Sequence, residues 1–286
     1  MLLINSQIKT IINEALIEDC YTQDYTTNSL VDPDLIGTAA IKAKSQGIIC
    51  GIPLAVEIFH FVDSTIEIIP LVEDGDFVDK NTTIIIAKGK ISSILISERT
   101  VLNFLQRLSG ISSETNKYVT EITGLECTII DTRKTTPGLR QLEKYAVRMG
   151  GASNHRMNLS DGILIKDNHI EALKAKGISL KDGIIIAKNK APHTLKVEVE
   201  TETIEQVIEA LDAGADIIML DNMDIPSIKN AVGIIDNKAI IEVSGGVNLS
   251  TVRKIAEQGV NLISVGAITH SFSSLDISLD IENYIN

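Results

Sequence analysis

Apolar and polar positions change rhythm part-way along the chain. Residues 8–19 repeat at helical spacing and predict an amphipathic helix, which Thr26, Thr27 and Asn28 break. Residues 37–43 and 46–50 read as strands with a turn between them, the second ended by Gly51-Ile52-Pro53. A helix follows over 54–61, then a strand over 66–72, the turn Glu73–Asp76 and a strand over 83–87. Over 97–108, Val101, Leu102, Leu105 and Leu108 share one helical face. Strands and helices mix here without regular order, which predicts an α+β domain over residues 1–110.

After Gly110 short apolar runs alternate with helical stretches. Six strands are expected, at 127–131, 162–166, 195–200, 216–221, 240–244 and 262–266. Helices are expected at 203–213, 226–235 and 249–258, with starts at Asp224 and at Asn248 or Ser250, and stops at Gly214 and Gly259. A repeated strand–helix unit predicts a parallel sheet, most simply a barrel. Six strands fall short of the eight of a closed barrel, so an open, incomplete parallel α/β barrel is expected over 111–269. The tail, 270–286, carries no further strand of that kind and is expected to pack back on the first domain.

Composition narrows the class. With 286 residues, 44% of them hydrophobic and 22% charged, the chain reads as an ordinary globular protein. No apolar run reaches the length of a membrane span. The first residues lack a basic lead and a small-residue cleavage site, so no signal peptide is expected. Cys20, Cys50 and Cys127 are far apart, without metal spacing, which fits a reducing, cytoplasmic setting. A net charge of −12 argues against nucleic acid as a partner.

Against that acidic background, residues 131–169 form a basic island. It holds Arg133, Lys134, Arg140, Lys144, Arg148, His155, Arg156, Lys166 and His169. Such an island must face an anion or be neutralised by the protein's own acids. The interspersed Gly, Asn and Thr favour a ligand, because they let backbone approach closely and donate hydrogen bonds. In a strand–helix barrel the chemistry sits at the C-terminal strand ends. Taken in order, those ends carry Thr132, Arg133 and Lys134, then Lys166, then Glu200, then Asp221, then Ser244-Gly245-Gly246, then Val265-Gly266-Ala267. Two Gly-rich turns ahead of helices can hold a phosphate on backbone amides. Two acids from adjacent strands can hold Mg²⁺, directly or through water. Arginines grip carboxylate or phosphate at two points. The implied ligands are a phosphorylated sugar, a divalent ion and a carboxylate.

Each piece alone has a plainer reading. Glu198 and Glu200 share a strand face, and Glu198 reads equally as the partner of a lysine inside the barrel. Ser244-Gly245-Gly246 alone is more often a turn. Lys166 could pair with an interior acid, His169 could cap a helix, and Asp24 could cap or pair with a base. His60, His193 and His270 read as surface or packing residues, and Arg99 as a solvated helix charge. The combination carries the specificity.

The motifs TRKTTPGLR, EKYAVRMGGASNHR and LIKDNH, followed by VEVE, MLDN, VSGGV and SVGAITHS, resemble the quinolinate phosphoribosyltransferase family. SERTVLNFLQRLSGIS and EDCYTQDYTT upstream resemble it too, so the likeness covers nearly the whole chain. Departures are Gln23 where that family usually has Gly, Met149, Met157-Asn158 and a long segment over 181–192. None removes a charged residue of the strand ends.

The resemblance implies an N-terminal α/β sandwich and an open, seven-stranded α/β barrel. It implies that phosphoribosyl pyrophosphate and quinolinate give nicotinate mononucleotide, pyrophosphate and CO₂, a step of NAD biosynthesis. Lys134, Lys166, Glu200 and Asp221 would be catalytic, with Mg²⁺ near Glu200 and Asp221. Arg133, His155, Arg156 and Lys166 would grip quinolinate, with Lys134 near the pyrophosphate or a carboxylate. The Gly-rich turns would hold the 5′-phosphate. A homodimer, or a higher oligomer, would supply Arg99 across its interface. Three alternatives stay open on the residues alone. They are a nicotinate-specific relative, a sensor of phosphoribosyl pyrophosphate without turnover, and a Schiff-base aldolase using Lys166.

Overall fold

The computed structural model describes residues 2–20 and 22–285. The chain begins with helices α1 (Ser6–Asp19) and α2 (Tyr25–Leu30), then β1 (Ile36–Ala43), β2 (Gly47–Ile48) and α3 (Ile52–Val62). Strands β3 (Glu67–Pro70), β4 (Phe77–Val78) and β5 (Thr83–Lys90) lead into the long helix α4 (Ile91–Glu121). Then come β6 (Thr128–Ile130), α5 (Arg140–Met149), β7 (Ile163–Ile165), α6 (Asp167–Lys174) and α7 (Leu180–Lys190). Regular alternation follows through β8 (Val197–Thr201), α8 (Ile204–Asp212), β9 (Ile217–Asp221), α9 (Ile225–Ile235), β10 (Ile240–Ser244), α10 (Val252–Ala256), β11 (Leu262–Ser264) and α11 (Ala267–His270). Strand β12 (Ile277–Ile285) ends the chain.

These elements form two compact units. The first holds residues up to Asn116, 137–151 and the stretch from Phe272 onward. Its main sheet has the order β12-β1-β5-β3, with every pairing antiparallel. The tail therefore enters this sheet as an edge strand beside β1. Segment 137–151 was expected in the barrel but clusters here. The reason is its apolar face: Leu142, Tyr145, Ala146 and Val147 of α5 are all buried. Tyr145 Oη donates to Asp74, 2.6 Å away, and Arg107 Nη2 bonds Glu143 at 2.5 Å.

Two sequence expectations fail in this unit. Thr26–Asn28 lie inside α2, because the Asp24 carboxylate caps it by accepting from the Thr27 N–H. Helix α4 runs far beyond 97–108 and passes through Gly110. Its small residues look like breakers but are sites of close approach. Ser97, Ser109, Ser112 and Thr115 are fully buried, and a Cβ on Gly110 would lie 2.4 Å from the Ser273 carbonyl oxygen.

The second unit holds 117–136 and 152–271. Its six parallel strands are those expected, in the order β6-β11-β10-β9-β8-β7. The sheet is open and not closed into a barrel. A seventh strand is not formed among the described residues. In its place Ser153 makes one parallel bridge to Ile130, outside β6. Alternate positions such as Val197, Val199, Ile218, Leu220, Ile241 and Val243 are buried apolar residues. The intervening positions of β8 and β10 carry Glu198, Glu200, Glu242 and Ser244, so polar chemistry shares one face of the sheet.

Candidate active site

A cavity of about 550 Å³ opens at the C-terminal strand ends of the second unit. Parity explains its lining. Leu164 and Lys166 come from β7 and its end, Glu200 from β8, Met219 and Asp221 from β9, Glu242 and Ser244 from β10. Each pair is two residues apart, so each strand sends the same face inward. Thr132, Arg133, Lys134, His155, Arg156, Asn222, Gly245, Gly246 and Ser264 complete the wall.

The β6 end is held by its own loop. Asp131 is fully buried and accepts from Asn154 Nδ2 at 2.8 Å and from the His155 N–H at 2.7 Å. These bonds fix the segment carrying His155 and Arg156 beside Arg133. Lys134 is placed by its backbone: its N–H donates to Thr132 Oγ1 and its carbonyl accepts from Thr269 Oγ1. Burial and the neighbouring Arg133 push the Arg156 guanidinium below its ordinary range, while Glu198 opposes them. Two crowded guanidinium groups make a place for an anion.

The acids stand on the other strands. Lys166 Nζ lies 3.2 Å from Glu200 Oε2. Burial raises the Glu200 carboxyl, Lys166 lowers it, and Asp221 raises it again. Asn222, in the left-handed region at φ 54, donates from Nδ2 to Asp221 Oδ2 at 2.7 Å and from its backbone to the Ser244 carbonyl. Gly245 has φ 88, and a Cβ there would sit 2.3 Å from Asn222 Oδ1, so a side chain is excluded twice. Gly246 also lies in the left-handed region, at φ 62.

Beneath this layer, His155 Nε2 is 3.2 Å from Glu198 Oε2 and 3.8 Å from Glu242 Oε2. Both carboxylates are buried, and the Oε1 of each has no hydrogen-bond donor. Burial first, then the Glu198 charge, drives the Glu242 carboxyl well above its usual range. A proton held on Glu242 gives Glu198 a donor and removes one of two adjacent charges.

Several expectations change. His155 was expected as a cation gripping the substrate, but its Nδ1 accepts the Arg156 N–H at 2.6 Å. A ring nitrogen that accepts carries no proton, so Nδ1 is an acceptor here. Arg140, Lys144 and Arg148 lie in the first unit and do not line the cavity. There Lys144 is fully buried and Arg148 lies over the Tyr145 ring. His169 caps α6, accepting the Lys166 N–H on Nδ1 at 2.9 Å. The turn Ser244–Gly246 does not run straight into a helix, since α10 starts only at Val252. Val265 is buried and offers its backbone alone, its N–H going to the Ile130 carbonyl. Gly266 packs on Lys134, whose Cδ would be 3.3 Å from an added Cβ, and Ala267 opens α11. Arg99 is exposed on α4 and does not line this cavity. The sequence reading missed Glu242 and Asp131. Glu242 was signalled as the lone acid in IIEVS, in phase with Ser244.

Comparison with known proteins decides what uses this arrangement. The model of the quinolinate phosphoribosyl transferase C-terminal domain matches residues 111–280, and that of the N-terminal domain matches 24–109. The chain belongs to the quinolinate phosphoribosyltransferase family. It is 42% identical over 275 residues to a probable nicotinate-nucleotide pyrophosphorylase (carboxylating) of Bacillus subtilis, covering 96% of this chain and 93% of that one. A mitochondrial quinolinate phosphoribosyltransferase (decarboxylating) of Nicotiana tabacum is also 42% identical, over 96% of this chain and 82% of its own. Among solved structures, NadC from Streptococcus pyogenes superposes with a TM-score of 0.95 at 38% identity, covering both chains completely.

Proposed function

We propose that the cavity transfers the phosphoribosyl group of phosphoribosyl pyrophosphate to quinolinate, with decarboxylation, in NAD biosynthesis. The observation that carries this is the division of one cavity into two halves. Arg133 and Arg156 crowd together on one side, and Glu200 and Asp221 stand on neighbouring strands of the other. A diacid fits the first half and a sugar with developing positive charge fits the second.

The pyridine nitrogen attacks the anomeric carbon, forming the C–N bond as the bond to pyrophosphate breaks. Arg133, Arg156 and Lys166 orient the two carboxylates so that the nitrogen faces the ribose. Glu200 and Asp221 stabilise the oxocarbenium-like ribose, and Lys134 takes charge from the departing pyrophosphate. The Ser244–Gly246 turn, with the backbone of Gly266 and Ala267 beside Lys134, holds the 5′-phosphate. The quaternised ring then accepts the electron pair of the breaking C2–carboxylate bond, and C2 takes a proton as CO₂ leaves.

Magnesium fits the acid side. Glu200 and Asp221 are oxygen donors, and the nearby Asp221 charge opposes ionisation of Glu200, which a divalent cation would relieve. Bound there, it would neutralise pyrophosphate charge. Assembly is proposed as a homodimer in which Arg99 of the partner completes the diacid pocket, with higher oligomers allowed. No described helix is long and apolar enough to cross a membrane. A cytoplasmic setting is proposed.

The test is CO₂ release from quinolinate labelled in its 2-carboxylate. Release is expected only with both phosphoribosyl pyrophosphate and Mg²⁺ present. Equal turnover of nicotinate would replace this reading with that of a monoacid-specific relative.

A further inference from the structure

The cluster His155, Glu198 and Glu242 has no part in the steps above. Its distances resemble a metal site: 3.2 and 3.8 Å between the imidazole Nε2 and two carboxylate oxygens suit a tetrahedral ion. The hydrogen bonds decide otherwise. A histidine that ligates through Nε2 keeps its proton on Nδ1 and donates it onward. Here Nδ1 faces a donor, the Arg156 N–H, at 2.6 Å. Two N–H groups cannot meet head-on at that distance. The ring proton must therefore sit on Nε2, and the group facing it is the Glu198 carboxylate.

We infer that Glu198 is a positioning residue that fixes His155 as the neutral Nε2–H tautomer and, through it, sets the backbone of Arg156 in the diacid pocket. The chain of bonds is continuous. Glu198 Oε2 lies 3.2 Å from Nε2, Nδ1 accepts from the Arg156 N–H, and Asp131 accepts from the His155 N–H. The Arg156 side chain is tied separately, Nη1 donating to the Gly162 carbonyl at 2.9 Å. With the backbone and guanidinium both held, Arg156 presents its remaining donors beside Arg133. Glu198 is 4% exposed and lies below the acid pair that faces the ribose, so it acts without touching substrate. Glu242 completes the arrangement from β10. A carboxyl held there donates to Glu198 and leaves it one charge to receive the imidazole.

The inference rests on the diacid reading for its kinetic consequence but not for the tautomer. The experiment separates the two. Long-range ¹H–¹⁵N spectra of the whole protein, with His155 assigned by its loss in His155→Asn, report the tautomer directly. The Nε2–H pattern is expected at pH 7, unchanged by EDTA or by one equivalent of Zn²⁺. Glu198→Gln should keep the pattern, because its amide oxygen accepts from the imidazole while its NH₂ donates to Glu242. It should also keep KM for quinolinate within about threefold of the parent, a difference worth about 0.7 kcal/mol. Glu198→Ala should lose the single tautomer and raise KM for quinolinate about tenfold or more, the scale of a lost charge-assisted hydrogen bond, with kcat less affected. An Nδ1–H or doubly protonated ring in the parent protein would overturn the inference. So would a Zn²⁺-dependent shift of the His155 signals abolished by Glu242→Gln, or an unchanged tautomer in Glu198→Ala. If the tautomer responds as expected and quinolinate is not a substrate, the diacid reading fails and the positioning role stands.

Discussion

Lys166 Nζ sits 3.2 Å from Glu200 Oε2 and ties the end of β7 to the end of β8. Glu200 needs that partner, because burial and the nearby Asp221 both resist its ionisation. The same crowding is what the proposed divalent cation would relieve. Replacing Asp221 with Asn should relieve the repulsion and remove the charge a cation would use. Turnover at saturating Mg²⁺ should fall more than tenfold, about 1.4 kcal/mol in the barrier. An Mg²⁺ titration of Asp221→Asn that overlays the parent curve would remove Asp221 from the site.

Glu242 makes a pH-dependent cost to stability. Its folded carboxyl is raised well above the ordinary 4.5 by burial and by Glu198. Below that ordinary value the folded and unfolded chains both hold the proton, and nothing is lost. As pH rises past it, the unfolded chain ionises while the folded one keeps its proton, so stability falls. Glu242→Gln retains a donor to Glu198 and cannot ionise. Its melting temperature should match the parent near pH 4.5 and exceed it increasingly towards pH 8. A difference that does not grow with pH would show that Glu242 is ionised in the fold.

Arg99 tests the assembly. It is exposed on α4, as a residue offered to a neighbouring subunit must be in one chain alone. Arg99→Ala and Lys134→Ala should each be inactive. Mixed and allowed to exchange subunits, they should regain activity, because each hybrid dimer holds one intact site. No recovery after exchange confirmed by mass would place every site residue within one chain.

The strand ends were legible because parity and chain order alone put Lys166, Glu200, Asp221 and Ser244 in one row. Each polar residue there follows an apolar run that cannot be anything but buried. Charge state was not legible. His155 beside Arg156 reads as two cations, and only the placement of Nδ1 against a backbone N–H makes that nitrogen an acceptor. Nor could the chain's basic island be divided by composition. Arg140, Lys144 and Arg148 are spaced as evenly as the site residues, yet α5 takes them into the other unit. Helix α4 was read short because Ser and Gly weaken helices in isolation, whereas here their small size is what lets other segments pack on them.

The crowding of Arg133 and Arg156 is the proposed basis for the choice of substrate. Burial, then the Arg133 charge, pushes the Arg156 guanidinium below its ordinary range. Quinolinate brings adjacent carboxylates, and nicotinate brings one. The monoacid would answer fewer of the arginines' donors, and a buried donor left without its ligand acceptor costs about 1–3 kcal/mol, more if charged. Discrimination of roughly 10²-fold in kcat/KM follows, as for any polar site meeting a ligand that lacks the matching group. Phthalate, an adjacent diacid without the ring nitrogen, should compete with quinolinate. Arg133→Ala removes one member of the pair and should cost quinolinate far more than nicotinate. Measured kcat/KM values for both acids, in the parent and in Arg133→Ala, decide the matter. Equal use of the two by the parent protein would detach this pair from diacid recognition.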